Sequence, residues 1–205
     1  MSLVGQDLWF RHDRSAPWVL SGAGLDVGAG EVVGLRGPSG AGKSTLARAL
    51  TGLLTPASGV VRVDGTELRG PDRRAQYLVQ DAAAGMNPRW TVARLLAEAG
   101  EPTDAEESLV DPVWRDRYPH EISGGQLQRV SLARALRAGP AYLVADEITA
   151  SLDALTQAEV WRDLLGLARD AGIGVLAVSH DAPLLDAVAD RVVEFAPTAP
   201  VAPGR

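Results

Sequence analysis

Residues 37–45 read GPSGAGKST, and Lys43 is the single lysine among the 20 Lys and Arg residues of the chain. Gly37-Pro38-Ser39-Gly40-Ala41-Gly42-Lys43-Ser44, with Thr45 next, fits the spacing G-x-x-x-x-G-K-[ST]. Small residues at these positions let backbone N–H groups close around phosphate oxygens, and a following helix start adds its positive dipole end. A lysine ammonium is a compact point charge, whereas a guanidinium is a wide planar fork that fits such a nest poorly. A chain that uses arginine everywhere else therefore has a chemical reason to keep lysine here. Ser44 is the candidate Mg²⁺ ligand.

A second serine-glycine stretch, ISGGQLQR, occupies 122–129. Ser123 is placed to cap a helix start, with Gln126 three residues on as its capping-box partner. A hydroxyl and free backbone N–H groups at a positive helix end make a second anion site. One phosphate tail has no need of two such sites in one chain. The simple resolution is that each serves a different nucleotide, shared across a dimer.

The elements that must position these groups follow from periodicity. Residues 31–37 and 141–146 are short apolar runs that read as buried strands, as does 173–179, while 76–81 and 191–195 add two more. Residues 59–65 alternate between glycines and read as an exposed or edge strand. Helical spacing marks 43–54, 91–100, 123–139 and 154–172. The acidic, proline-marked stretch 101–119 reads as irregular or short-helical. Strands that are apolar throughout and alternate with helices imply an α/β fold, with a largely parallel sheet covered on both faces. Ligands in such sheets bind beyond the carboxyl ends of the strands, where the two glycine loops lie.

Composition narrows the classes. No stretch approaches the ~18 consecutive apolar residues of a membrane span. The start of the chain has no basic segment leading into an apolar one, so no secretory signal is expected. The absence of cysteine fits a cytoplasmic protein without thiol chemistry. A net charge of −6 leans against nucleic acid as a partner.

Together, the first glycine loop and PHEISGGQLQRVSLARAL resemble the nucleotide-binding domains of ABC-type ATPases, over roughly residues 3–195. The usual Leu-Ser-Gly-Gly-Gln signature has Ile122 in first place here. The resemblance implies a P-loop NTPase fold: a largely parallel sheet flanked by helices, an antiparallel β edge region and a short helical subdomain over about 82–135. One domain is expected over 1–195, followed by a disordered Pro/Ala-rich tail at 196–205. YLVADE (142–147) resembles the Walker B motif, which gives Asp146 the role of Mg²⁺ ligand and Glu147 that of general base. Gln80 resembles the Q-loop glutamine, a contact to Mg²⁺ or water, and His180 the switch histidine on the γ-phosphate. Ser123, Gly124, Gly125 and Gln126 would meet the nucleotide of a partner chain, and Asp153 in ASLD would reach across the same dimer. By register His12 falls at the adenine-stacking position, with Trp18 a second possibility. Ile148 stands where the family commonly has proline.

GMNPRWTV (85–92) narrows the resemblance to the ATPase subunits of dipeptide, oligopeptide and nickel importers. ATP and Mg²⁺ are the implied cofactors. The implied partners are membrane permease subunits and a second ATPase chain, either a copy or a paralogue, which would hold the protein at the inner face of the membrane. Against that sub-family the 66–76 stretch is brief, the helical segment is trimmed, and the extension beyond the last strand is not expected. An ABC ATPase of an exporter, or one acting outside transport, is the alternative. A P-loop small-molecule kinase would have no use for the Ser-Gly-Gly-Gln helix.

Overall fold

The computed structural model describes residues 1–196, so all but the first residue of the expected tail lies outside the described residues. The chain opens with two antiparallel strands, β1 (Ser2–Phe10) and β2 (Leu20–Gly28), and then runs through β3 (Val32–Arg36) into α1 (Lys43–Leu50). The strands β4 (Ser58–Val63), β5 (Thr66–Glu67) and β6 (Ala75–Leu78) lead into a helical stretch of α2 (Val92–Ala99), α3 (Asp104–Leu109) and α4 (Gly124–Arg137). It closes with β7 (Tyr142–Asp146), α5 (Ala154–Ala171), β8 (Gly174–Val178), α6 (Ala182–Val188) and β9 (Arg191–Glu194).

Two sheets result. The parallel one has the order β6-β7-β8-β3-β9 and the antiparallel one β2-β1-β4-β5. In the parallel sheet successive side chains serve two different cores. Tyr142, Val144, Leu176 and Val178 point to the side where α1 and the antiparallel sheet pack. Leu143, Ala145, Val175 and Ala177 point to the side covered by α2, α4 and α5. Every residue of β7 and β8 is buried, as apolar runs without alternation require.

The strand expected at 59–65 forms as β4, half-exposed and one place in from the sheet edge. β4 pairs with β1 on one side and β5 on the other. Its partner β5 is only two residues long and wholly exposed, which leaves β4 with the half-polar pattern of an edge. The helix expected over 43–54 ends at Leu50, and Gly52, at φ 74°, turns the chain away. The acidic stretch is short-helical, as expected, and α3 packs on α4. Its anchor is Glu106, 1% exposed, whose carboxylate accepts from Arg115 and Arg137. Arg137 also donates to the carbonyls of Leu96 and Gly100 at 2.9 and 2.6 Å, so the buried charge pair is hydrogen-bonded as well as neutralised.

Candidate nucleotide site

Three parallel strands bring the candidate residues into one row. Val178, the last residue of β8, is level with Leu35 of β3 on one side and Asp146 of β7 on the other. The chain leaves β3 into the glycine loop, β7 into Glu147 and β8 into Ser179 and His180. All three exits therefore lie along one sheet end, the carboxyl end at which ligands of such sheets sit.

The glycine loop ends at Gly42, the residue before α1, with φ 99°. Only glycine adopts that conformation cheaply, and a Cβ here would also approach the Val19 carbonyl oxygen to 2.9 Å. No side chain caps α1, and its first turn carries no acidic residue. Its opening N–H groups are therefore available to an anion. Lys43 is 6% exposed, and its ammonium donates to the carbonyls of Gly37 and Pro38 at 2.9 and 3.1 Å. It folds back across its own loop, from the start of α1 to the carbonyls just past the end of β3. Ser44, next in line, is exposed.

Asp146 closes β7 and is 5% exposed. Its Oδ2 accepts from the Tyr77 hydroxyl at 2.5 Å, while Oδ1 is buried and has no hydrogen-bond partner. An orphaned buried carboxylate oxygen is costly and calls for a donor or a cation. The ligand set expected from the sequence, Asp146 with the Ser44 hydroxyl and the Gln80 amide oxygen, would be all-oxygen, which suits a hard divalent cation such as Mg²⁺. Among the described residues no cluster of three His, Cys, Asp or Glu side chains competes for a metal. Gln80 is exposed, two residues beyond the last position of β6 that pairs with β7.

Glu147 takes the left-handed conformation at φ 51°, a costly choice for a residue with a side chain. Its N–H donates to the Val178 carbonyl at 2.9 Å, which fixes the turn. The carboxylate is 24% exposed and lies 3.5 Å from Nδ1 of His180, itself 67% exposed. A half-sheltered carboxylate beside an imidazole can accept a proton from a water poised between the row and solvent. Ile148, where the family commonly has proline, is buried in the core.

The second glycine loop behaves differently. Ser123 caps α4 and Gln126 caps it in return: Ser123 Oγ accepts from the Gln126 N–H at 3.3 Å, and Gln126 Oε1 accepts from the Ser123 N–H at 2.9 Å. Gly125 is buried, and a Cβ there would collide with the Thr156 side chain. That close approach packs the start of α4 on the start of α5, with Gly124 against Leu152. Asp153 caps α5, its carboxylate accepting from the N–H groups of Leu155 and Thr156 and from the Thr156 hydroxyl at 2.7 Å. These bonds, the Thr156 hydroxyl first, hold its carboxyl below the usual aspartate range. Among the described residues no hydrogen bond joins this loop to residues 37–45.

His12 lies exposed in the loop after β1, edge-on to Phe10 at 5.4 Å. Trp18 is half-buried, with Arg11 over its face at 4.3 Å and Trp9 at its edge at 5.4 Å. The residue after it, Val19, is the one whose carbonyl abuts Gly42. Trp18 is thus tied to the glycine loop through its neighbour, whereas the ring contact of His12 is to Phe10.

Sequence reasoning missed Tyr77 and Arg48. Burial and the bonded Asp146 carboxylate push the Tyr77 phenol up to about 12, so it stays a proton donor. No local signal marks Tyr77: β6 reads Ala-Gln-Tyr-Leu, and the contact to Asp146 spans 69 residues of chain.

The family profile described as ABC transporter matches residues 20–150. The chain belongs to the ABC transporter family. A putative peptide import ATP-binding protein of Brucella ovis is 37% identical over 197 residues, which cover 85% of this chain and 62% of that protein. The nickel import ATP-binding protein NikE of Pseudomonas putida is 38% identical over 204 residues, or 88% of this chain and 75% of that one. The chain thus spans about 62% of the length of the peptide-import relatives it matches. Among solved ABC structures, a dimeric bacterial ABC transporter cassette superposes with a TM-score of 0.79 at 25% identity, covering 94% of each chain. A dimeric ATP-binding cassette bound to ADP and Pi shares the fold with a TM-score of 0.80 at 23% identity, over 95% of this chain and 94% of that one.

Proposed function

We propose that this ABC chain binds and hydrolyses Mg-ATP at a composite dimer interface and so drives a separate membrane permease that imports peptides or nickel. The observation that carries the reading is the row at the strand ends. It sets the Lys43 loop, the half-satisfied carboxylate of Asp146 and the Glu147–His180 pair along the carboxyl end of the parallel sheet. The names of the peptide- and nickel-import relatives support the cargo class, as does the Asn87-Pro88-Arg89 stretch.

Each residue has a stated task. The loop N–H groups and the helix start receive the phosphates, and Lys43 leaves its loop carbonyls to meet the β- and γ-oxygens. Ser44 and Asp146, with Gln80, would hold Mg²⁺, which supplies charge neutralisation on the phosphate oxygens when bound. Glu147 takes the proton of the attacking water, a task worth roughly 10²–10⁴ in rate. His180, beside that carboxylate, would donate to the γ-phosphate. The start of α4 supplies Ser123 and backbone N–H groups to the nucleotide of the partner chain. Asp153 shapes that surface by capping α5. ATP closes the dimer by bridging two chains, and hydrolysis removes the bridge. The second chain is a copy or a paralogue, and the assembly sits at the inner membrane face through the permease.

The test is the mass of the Glu147→Gln protein by light scattering, with and without Mg-ATP. Blocking the base keeps binding and stops hydrolysis, so a shift from monomer to dimer with ATP is expected. A monomer that still binds ATP would assign the second half-site to a different ATPase chain. Failure to bind ATP would sink the nucleotide-site reading altogether.

A further inference from the structure

A carboxylate at a metal site must do two things: stay ionised and present one particular oxygen. Asp146 is 5% exposed, so its presentation is set by neighbours and not by water. Rotation of an aspartate carboxylate about χ2 is broad and nearly two-fold, so nothing intrinsic decides which oxygen is left without a partner. Here one neighbour decides it. Tyr77 Oη donates to Oδ2 at 2.5 Å, and Oδ1 is the oxygen left without a partner.

Tyr77 lies in β6, next to β7, with its residue paired to Val144. A phenol has one proton, and it goes to Asp146. Its oxygen can also accept, and Nε of Arg48 donates to it at 3.4 Å, with the guanidinium carbon 5.9 Å from the ring centre. Arg48 is in α1, the helix that begins at Lys43. A chain of contacts therefore runs from the phosphate-loop helix, through β6, to the carboxylate at the end of β7. The same strand β6 leads directly into Gln80, the third member of the oxygen donor set.

We propose that Tyr77 is a positioning residue for the divalent-cation site: its hydroxyl holds Oδ2 of Asp146 so that Oδ1 stays presented to the cation, and Arg48 holds the hydroxyl there. The inference rests on the Mg-ATP reading above. Groups of this kind, one bond removed from a metal ligand, typically change metal affinity by about 10–100-fold when lost. A purely structural tyrosine would alter melting temperature and leave cation dependence untouched.

The experiment titrates Mg²⁺ into the protein at fixed ATP, reading nucleotide-dependent thermal stabilisation, and measures ATP affinity separately in EDTA. For Tyr77→Phe the Mg²⁺ midpoint should rise by about tenfold while ATP affinity in EDTA stays that of the parent. An unchanged or lower midpoint overturns the proposal. So does an equal loss of affinity with and without Mg²⁺, since that marks a general distortion of the site. If Tyr77→Phe is too unstable to read, Arg48→Gln carries the test. Its midpoint should move the same way by roughly two- to threefold, the weaker effect of a more distant contact, and no movement overturns the proposal. A parent protein that binds no ATP in either condition overturns the Mg-ATP reading itself, and the proposal with it. A parent that binds ATP normally while Tyr77→Phe keeps its Mg²⁺ midpoint fails the Tyr77 proposal alone.

Discussion

The end of the parallel sheet and the start of the α4–α5 pair both carry residues proposed to meet ATP, yet they are built on opposite terms. At the sheet end the chain leaves its chemistry unfinished. Asp146 Oδ1 has no partner, Glu147 holds a left-handed backbone, and Lys43 rests on the carbonyls of its own loop. At the helix starts almost everything is finished. Ser123 and Gln126 cap one another, and Asp153 spends both carboxylate oxygens on α5. An unfinished site asks for a ligand. A finished one offers only shape and outward N–H groups, as expected of a surface that meets a nucleotide already held elsewhere. The comparison predicts that removing the phosphate-holding charge at the first region costs ATP affinity, and that adding charge to the outward surface of the second costs turnover with affinity spared.

Lys43→Ala should give the largest effect. It removes charge-assisted bonds to phosphate, each worth about 1.5–3 kcal/mol, so ATP binding measured by calorimetry should weaken by at least about 100-fold. An affinity within a few-fold of the parent would mean that the sheet-end row does not hold the nucleotide.

The asymmetry also explains what could be read from the sequence. The strands of the parallel sheet and the capping box at Ser123 were legible because apolar runs and cap spacing are local signals. So were the loop residues, whose types serve one chemistry. β2 was not, because its Leu-Ser-Gly-Ala-Gly run carries glycines that read as loop, and its alternation appears only once β1 is beside it. α6 was hidden in a short segment with Pro183 in its first turn, capped by Asp181. Tyr77 and the Glu106–Arg137 pair were not legible at all, since both depend on contacts 69 and 31 residues apart in the chain. Asp153 was legible as a residue of interest, but the bonds that occupy it are to its own helix.

Ser123→Asp sharpens the comparison. Serine and aspartate are equal N-caps, so the melting temperature should hardly move. The added negative charge would face an anion, and turnover should fall roughly 10–100-fold, as expected for repulsion of about 1.4–2.7 kcal/mol at a closing interface. ATP affinity of the isolated chain should be unchanged. Ser123→Ala is the control: it loses the cap, costs about 1 kcal/mol of stability and spares turnover more than aspartate does. Equal turnover for the parent and Ser123→Asp would reduce the second glycine loop to an ordinary capped helix.

Asp153→Asn should give the smallest effect, and it decides which side of the comparison Asp153 belongs to. The Thr156 hydroxyl and the N–H groups at the start of α5 lower the carboxyl's folded pKa below its unfolded value. The stabilising contribution is therefore present above the unfolded value of about 3.9 and is lost as pH falls through the folded one. Asparagine keeps one acceptor oxygen and remains a good cap, so only the charge and the bond from the Thr156 hydroxyl are removed. Paired melts should show a slightly lower melting temperature for Asp153→Asn at pH 7, with the gap closing below about pH 4. ATP turnover should stay within about twofold of the parent, because the rate should not depend on a carboxylate spent on its own helix. A large loss of turnover at unchanged melting temperature would mean that the carboxylate leaves its helix and acts across the dimer. The start of α5 would then be as unfinished as the end of the sheet, its bonds to Thr156 serving only to park the side chain until a second chain arrives.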